Sequence, residues 1–331
     1  MTGVDGGWLL VQATSNQPHL SEEGKKMSVV VLGSINMDLT TYVPRLPAPG
    51  ETLFGTSFIT VPGGKGFNQA LAAGRLGATT KFIGRVGDDA FGTGVLQLVA
   101  DEPLDVSGIA IDPAHGTGLA VISVDEQAEN AIIVISGANM AHDESDVARC
   151  AAALQGAKVL LLQMESPLST SLAAARLAHE RGVTVIFDPA PARPLPDEAY
   201  QLCQIMTPNE SETEVLVGFR PTNLAEAEQA AAILRGRGLA TAVIKLGAQG
   251  VYFQTAGASG FIPPFAVRAI DTVAAGDAFN GGLAVALAEG QPIAEAVRWG
   301  AAAGALATTK AGASSAMPTR AELTALLASS R

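Results

Sequence analysis

The chain has 331 residues, 48% of them hydrophobic, enough for one large or two modest domains with a sizeable core. Its 21 basic and 32 acidic residues give a formal net charge of −11, spread along the chain, which excludes the basic footprint of a nucleic-acid binder. Cys150 and Cys203 lack metal or redox spacing and suit a reducing cytoplasm, and apolar runs such as 159–162 fall far short of the roughly 20 residues a membrane span needs.

Residues 1–26 contain a short apolar patch at 7–11 with no basic residue ahead of it, so no secretory signal is expected. They read as a disordered extension, or as sequence upstream of a start at Met27, with residues 27–331 as the folded unit. From Val29 onward, short Val/Ile/Leu runs alternate with Ala-rich helical patterns, which predicts a mostly parallel sheet flanked by helices. Strands are expected over 29–33, 81–86, 158–164, 184–188, 204–208 and 242–247. Helices are expected over 66–76, 144–154, 168–180, 224–235 and 276–288. Two stretches, 39–61 and 118–137, break this rhythm; in the second, GLAVISVD and NAIIVISG flank a polar turn and predict a hairpin. Four strands without helices among them predict a small separate sheet, placed to act as a lid that excludes water. A plain edge extension of the main sheet is the alternative.

In DTVAAGDAFNGG, residues 271–282, small side chains at Ala274, Ala275 and Gly276 precede Asp277 and an apolar helical pattern. At a helix N-terminus such side chains let an anion approach free N–H groups under the helix dipole. Asp277 would lie beside that anion, ionised yet able to take a proton from an attacking hydroxyl. Helix capping is the alternative role for an Asp there.

PGGKGFNQA, residues 62–70, puts a glycine-rich turn and Lys65 at another helix start. It is not a P-loop, because Gly66 follows Lys65 and Ile59 stands where that motif begins with glycine. Gly63, Gly64 and Gly66 still permit close backbone approach, while Lys65 offers a mobile charge and Asn68 an amide. Asn36 and Asp38 after the first strand, and Glu165 after the third, stand at C-terminal strand ends, where open α/β sheets bind ligands. Such groups suit a polyhydroxylated substrate, although each alone also fits a turn or cap.

From Val29 to about Leu327 the chain resembles the ribokinase-like (phosphofructokinase B) family of carbohydrate kinases. Both family signatures are present, GGKGFNQALAAGRLG and DTVAAGDAFNGG, in the family's order and separation. The resemblance implies an α/β kinase domain with a small β-sheet lid that also forms a homodimer contact. It implies transfer of the ATP γ-phosphate to O5 of D-ribose, giving ribose 5-phosphate. Asp277 falls on the catalytic base, the Ala275 and Gly276 backbone on the anion hole, and Asn36, Asp38, Gly64, Lys65, Asn68 and Glu165 on sugar-binding positions, Lys65 also reaching the transferred phosphate.

TPNESE matches the family's Asn-x-x-Glu motif, so Asn209 and Glu212 would organise Mg2+ and phosphates, Glu212 through water. IKLGAQG resembles the nucleotide loop, implicating Gly247, Gly250 and also Lys245, which stands where many members carry Thr. Phe67 replaces a smaller residue in the first signature. A monovalent-cation site, with K+ as activator, would map to Asp271, Val273, Ala307, Lys310 and Gly312. Its serine contributor aligns with Ala316, beside Ser314 and Ser315. A kinase for 2-deoxyribose, another sugar or a nucleoside, or a catalytically silent sugar-binding regulator, are the alternatives. No strand leads into a G-x-G-x-x-G turn, which argues against a dinucleotide-binding protein.

Overall fold

Alternate residues of the run VVVL are buried in opposite directions. In the computed structural model, which describes residues 28–127 and 129–330, Val29 and Val31 join one hydrophobic cluster while Val30 and Leu32 join another. A strand with side chains alternating to two covered faces must be apolar throughout, and here it lies inside the larger sheet. The expectation for residues 1–26 lies outside the described residues.

The strands and α-helices follow in chain order: β1 (Ser28–Leu32), β2 (Asn36–Tyr42), β3 (Ser57–Gly63), α1 (Lys65–Arg75), β4 (Thr79–Gly87), α2 (Ala90–Val99), β5 (Asp105–Asp112), β6 (Gly118–Val124), β7 (Asn130–Ile135), α3 (Glu144–Ala153), β8 (Val159–Leu162), α4 (Leu168–Glu180), β9 (Thr184–Phe187), α5 (Asp197–Leu202), β10 (Ile205–Met206), α6 (Glu210–Val217), α7 (Leu224–Gly236), β11 (Thr241–Lys245), β12 (Val251–Gln254), β13 (Ser259–Ile262), α8 (Ala275–Ala288), α9 (Ile293–Ala307) and α10 (Arg320–Ser329). The larger sheet has nine strands in the order β13-β12-β11-β10-β9-β8-β1-β4-β5. From β11 to β5 neighbours pair in parallel, and β12 and β13 add an antiparallel edge. One face is covered by residues of α1, α8, α9 and α10, the other by residues of α3, α4, α5 and α7.

The two helix-free stretches supply a separate four-stranded sheet, β3-β2-β6-β7. β2 pairs antiparallel with β3 and parallel with β6, and β6 and β7 form the expected hairpin. Asn36 and Asp38 are therefore the first and third residues of β2 rather than part of a loop trailing β1, and Asn36 lies opposite Gly63. All six residues of β7 are exposed.

The expected strands and helices agree with the observed ones to within a few residues, but α2, β5, α5, α6, β12, β13, α9 and α10 had no individual expectation. In α2 a Cβ on Gly92 would collide with the Gly87 carbonyl, so glycine there serves close packing against β4.

Candidate active site

Five parallel strands end on the same side of the large sheet, and the residues just beyond them converge with the N-termini of α1 and α8. Ser34 follows β1, Gln163 and Glu165 follow β8, Asp188 follows β9, Thr207 follows β10, and Lys245 closes β11. The crevice at the carboxyl ends of such strands is where an α/β sheet can gather side chains without sacrificing its hydrogen-bond ladder.

Helix α8 begins without a side-chain cap. Its N-cap, Ala274, is in the left-handed region at φ 58°, unlike every other non-glycine among the described residues. Beyond it, the N–H groups of Gly276 and Asp277 find no acceptor among the described residues, whereas the Ala275 N–H, expected in an anion hole, donates to Thr272 O at 3.3 Å. Asp277, in the first turn, does not cap the helix; its Oδ2 accepts from Asn68 Nδ2 at 3.2 Å and its Oδ1 from Gln69 Nε2 at 3.1 Å. Both amides come from α1, so packing of α1 against α8 sets the carboxylate's direction.

Burial pushes the Asp277 carboxyl up to about 6, with Lys65 opposing and Asp188 and Glu165 reinforcing the rise. Asp38 rises to about 7, chiefly by burial and further through Glu165 and Asp277. Burial disfavours the charge on Lys65, but Asp277, Glu165, Asp188 and Glu212 around it hold its ammonium above the usual lysine range. Two ammonium groups, Lys65 and Lys245, thus share a site with five carboxylates, Asp38, Glu165, Asp188, Glu212 and Asp277. Lys245 Nζ sits 3.2 Å from Asp188 Oδ1.

Glu165 Oε2 accepts from Ser34 Oγ at 2.6 Å and from the Lys65 N–H at 3.0 Å, locking the entry to α1. Gly64, the N-cap of α1, has φ 88°, a conformation that favours glycine. Asn36 Oδ1 accepts from Asn139 Nδ2 at 2.7 Å, while the Asp38 carboxylate lies so close over Gly63 that a Cβ there would collide with it. Asp38 Oδ1 and Asn68 Oδ1 are buried acceptors with no donor among the described residues.

The remaining expected positions lie on α6, in the turn after β11, and on the segments 271–273 and 307–316. Asn209 and Glu212 form a capping box at α6, Asn209 Oδ1 accepting from the Glu212 N–H at 2.9 Å and Glu212 Oε2 from the Asn209 N–H at 2.7 Å. Burial raises the Glu212 carboxyl, with Lys245 opposing that rise. Gly247 and Gly250 bound a short 3-10 turn after β11, with φ 51° and 110°. Asp271 accepts from the N–H groups of Val273 and Gly312, each at 2.9 Å, and its own N–H donates to Thr308 O, so 271–273 runs beside 308–312. Ala307 ends α9, with Lys310 three residues on. Ala316 is buried, Ser314 Oγ donates to Pro62 O, and Ser315 Oγ donates to Ala311 O.

The sequence reading passed over Ser34, Gln69, Asn139, Gln163, Asp188 and Thr207. Asp188 had a usable signal, since it ends an expected strand, much as Glu165 follows one. Gln69 lies inside the quoted glycine-rich motif. Asn139 had none, because its partners Ile35 and Asn36 are about a hundred residues away.

Comparison with known proteins adds an independent line. The sequence model of the family described as "pfkB family carbohydrate kinase" matches residues 26–320. The chain is 43% identical over 297 residues to a ribokinase of Haemophilus influenzae, covering 90% of this chain and 97% of that one. It is 38% identical over 292 residues to a ribokinase of Staphylococcus aureus, covering 88% and 96%. The structure of Arabidopsis thaliana ribokinase complexed with ribose and ATP matches with a TM-score of 0.83 at 31% identity, covering 90% of this chain and 98% of that one.

Proposed function

The chain belongs to the pfkB family of carbohydrate kinases, and from that premise we infer that its reaction is the ATP-dependent phosphorylation of ribose. The observation that carries this is Asp277: a buried carboxylate steered by two amides, in the first turn of a helix whose Gly276 and Asp277 N–H groups find no acceptor among the described residues. On this reading Asp277 takes the proton from O5 of ribose as that oxygen attacks the γ-phosphorus in line, giving ribose 5-phosphate. The N–H groups of Gly276 and Asp277, with the Lys65 ammonium, stabilise charge growing on the phosphoryl oxygens, because phosphoryl transfer depends mainly on positioning and electrostatics. The N–H of Ala275, expected in the anion hole, is instead taken by Thr272 O.

Asn36, Asp38, Gly64, Lys65, Asn68 and Glu165 hold the sugar. The orphaned acceptors on Asp38 and Asn68 call for donors, which vicinal hydroxyls supply and an apolar base does not. Residues 27–331 act as one kinase domain, and the four-stranded sheet serves as a lid over the sugar.

Asn209, Lys245, Gly247 and Gly250 line the nucleotide side. Among the described residues no cluster of three metal-ligating side chains exists, which fits a magnesium ion carried by the triphosphate and its waters, with Glu212 reaching it through water. Magnesium supplies charge neutralisation at the phosphates. Carbonyls of Asp271, Val273, Ala307, Lys310 and Gly312 suit a potassium ion, since Asp271 ties their two segments together. The exposed apolar residues Ile132, Ile133, Val134 and Ile135 on β7, with Phe58 on β3, favour a homodimer through the lid. No helix among the described residues is long and apolar enough to cross a membrane, which suits a cytoplasmic enzyme.

A coupled ADP-release assay over ribose, 2-deoxyribose, fructose and adenosine tests the assignment. Ribose should give far the highest kcat/KM, and preference for adenosine or fructose would overturn it.

A further inference from the structure

Gln69 is fully buried on α1, next to a residue assigned to the sugar, and the proposed chemistry gives it no part beyond steering Asp277. Its single amide nitrogen donates to two carboxylates, Asp188 Oδ2 at 2.9 Å and Asp277 Oδ1 at 3.1 Å. Ionised carboxylates only accept, so the amide must present its nitrogen to them and its oxygen the other way. There Gln163 Nε2 donates to Gln69 Oε1 at 2.7 Å and fixes the orientation. Gln163 is itself buried, and its Oε1 fills the space that a Cβ at Gly33 would take.

We propose that Gln69 is a positioning residue for phosphoryl transfer: held by Gln163, it anchors Oδ1 of Asp277 and so leaves Oδ2 as the oxygen that meets the attacking hydroxyl. This rests on Asp277 being the general base. Oδ2 is otherwise engaged only by Asn68, which the sugar can draw away through the orphaned acceptor on that amide. The same bond favours the ionised carboxylate. Asp277 is faced by Lys65 from α1, by Asp38 from β2, and by Glu165 and Asp188 beyond β8 and β9, with Lys245 of β11 paired to Asp188. Without Gln69, Asp188 and Asp277 would lose the hydrogen-bond donor that bridges them.

The test compares Gln69→Met, close in shape but unable to donate, with wild type in full pH profiles of kcat. The acid limb should move to higher pH by about one unit, since a hydrogen bond to a charged group stabilises it by that order. With the Asp277 carboxyl moving from about 6 to about 7, the kcat loss should be about fivefold larger at pH 6 than at pH 8.5, with KM for ribose changed less than kcat. If Gln69→Met does not fold, Gln163→Met tests the same chain by releasing the amide, and its acid limb should move in the same direction. A folded variant of either kind with an unmoved acid limb overturns the proposal. Asp277→Asn, assayed alongside, separates the two ideas: full activity there sinks the general base itself, whereas an inactive Asp277→Asn with an unmoved Gln69→Met profile sinks only the role of Gln69.

Discussion

Lys245 Nζ lies 3.2 Å from Asp188 Oδ1, and a Cβ placed on Gly276 would stand 3.4 Å from the same nitrogen. The ammonium that balances Asp188 therefore also borders the N-terminus of α8, where a phosphoryl group would sit. Lys245→Met should raise KM for ATP about tenfold while KM for ribose stays within about threefold, since one charge-assisted contact is removed. The pair is almost fully buried, so stranding Asp188 should also cost about 3–5 kcal/mol of stability. Thermal melts of Lys245→Met and of Lys245→Met with Asp188→Asn would show it: the second change should restore stability but not ATP affinity. An unchanged KM for ATP would remove Lys245 from the nucleotide site.

Asp277→Asn keeps the size of the side chain but removes the proton acceptor. General bases contribute about 10²- to 10⁴-fold, so kcat should fall at least about 100-fold. Ribose affinity by calorimetry should change by about tenfold at most, because a neutral hydrogen bond replaces a charge-assisted one. Near-normal kcat in a folded Asp277→Asn protein would reduce Asp277 to a structural residue.

Asp38 has no hydrogen-bond donor at Oδ1 among the described residues, and burial keeps its proton on to about 7, against an ordinary 3.8. Between those values the folded chain binds more protons than the unfolded one, so this group makes stability fall as pH rises from about 4 to 7. Asp38→Asn removes that loss. The Tm of Asp38→Asn minus that of wild type should therefore grow with pH across this window and level off above it, in scanning calorimetry without ribose. A difference that stays flat from pH 4 to 8 would show that the buried carboxylate is not protonated as described. The same substitution should weaken ribose binding.

Potassium should activate the enzyme, with a weaker apparent affinity than in a variant restoring a hydroxyl, Ala316→Ser. The carbonyl-bearing segments 271–273 and 308–312 are tied by Asp271, but the nearby Ser314 and Ser315 hydroxyls donate to Pro62 O and Ala311 O. Activity titrated with KCl at constant ionic strength, using a bulky cation as balance, measures this. No response at any potassium concentration would mean that the carbonyls do not form a site.

The parallel sheet was legible because its signal is local. Runs such as VVVL and VLLL can be apolar at every position only if both faces are covered, and the loss of helical rhythm at 39–61 and 118–137 marked the second sheet. Asp277 and Lys65 were legible because glycine and alanine beside a helix start leave a recognisable pattern. The sequence did not contain the pairing of these two segments. Asn68 and Gln69 reach Asp277 across more than two hundred residues, and Gln69 further joins Asp188 and Gln163, neither of which any short pattern connects to it. Nor could composition tell which carboxylates stay ionised. That depends on burial and on which charges the fold gathers around Asp38 and Asp277, a property of three-dimensional distance that only the packing of α1, α8 and the strand ends decides.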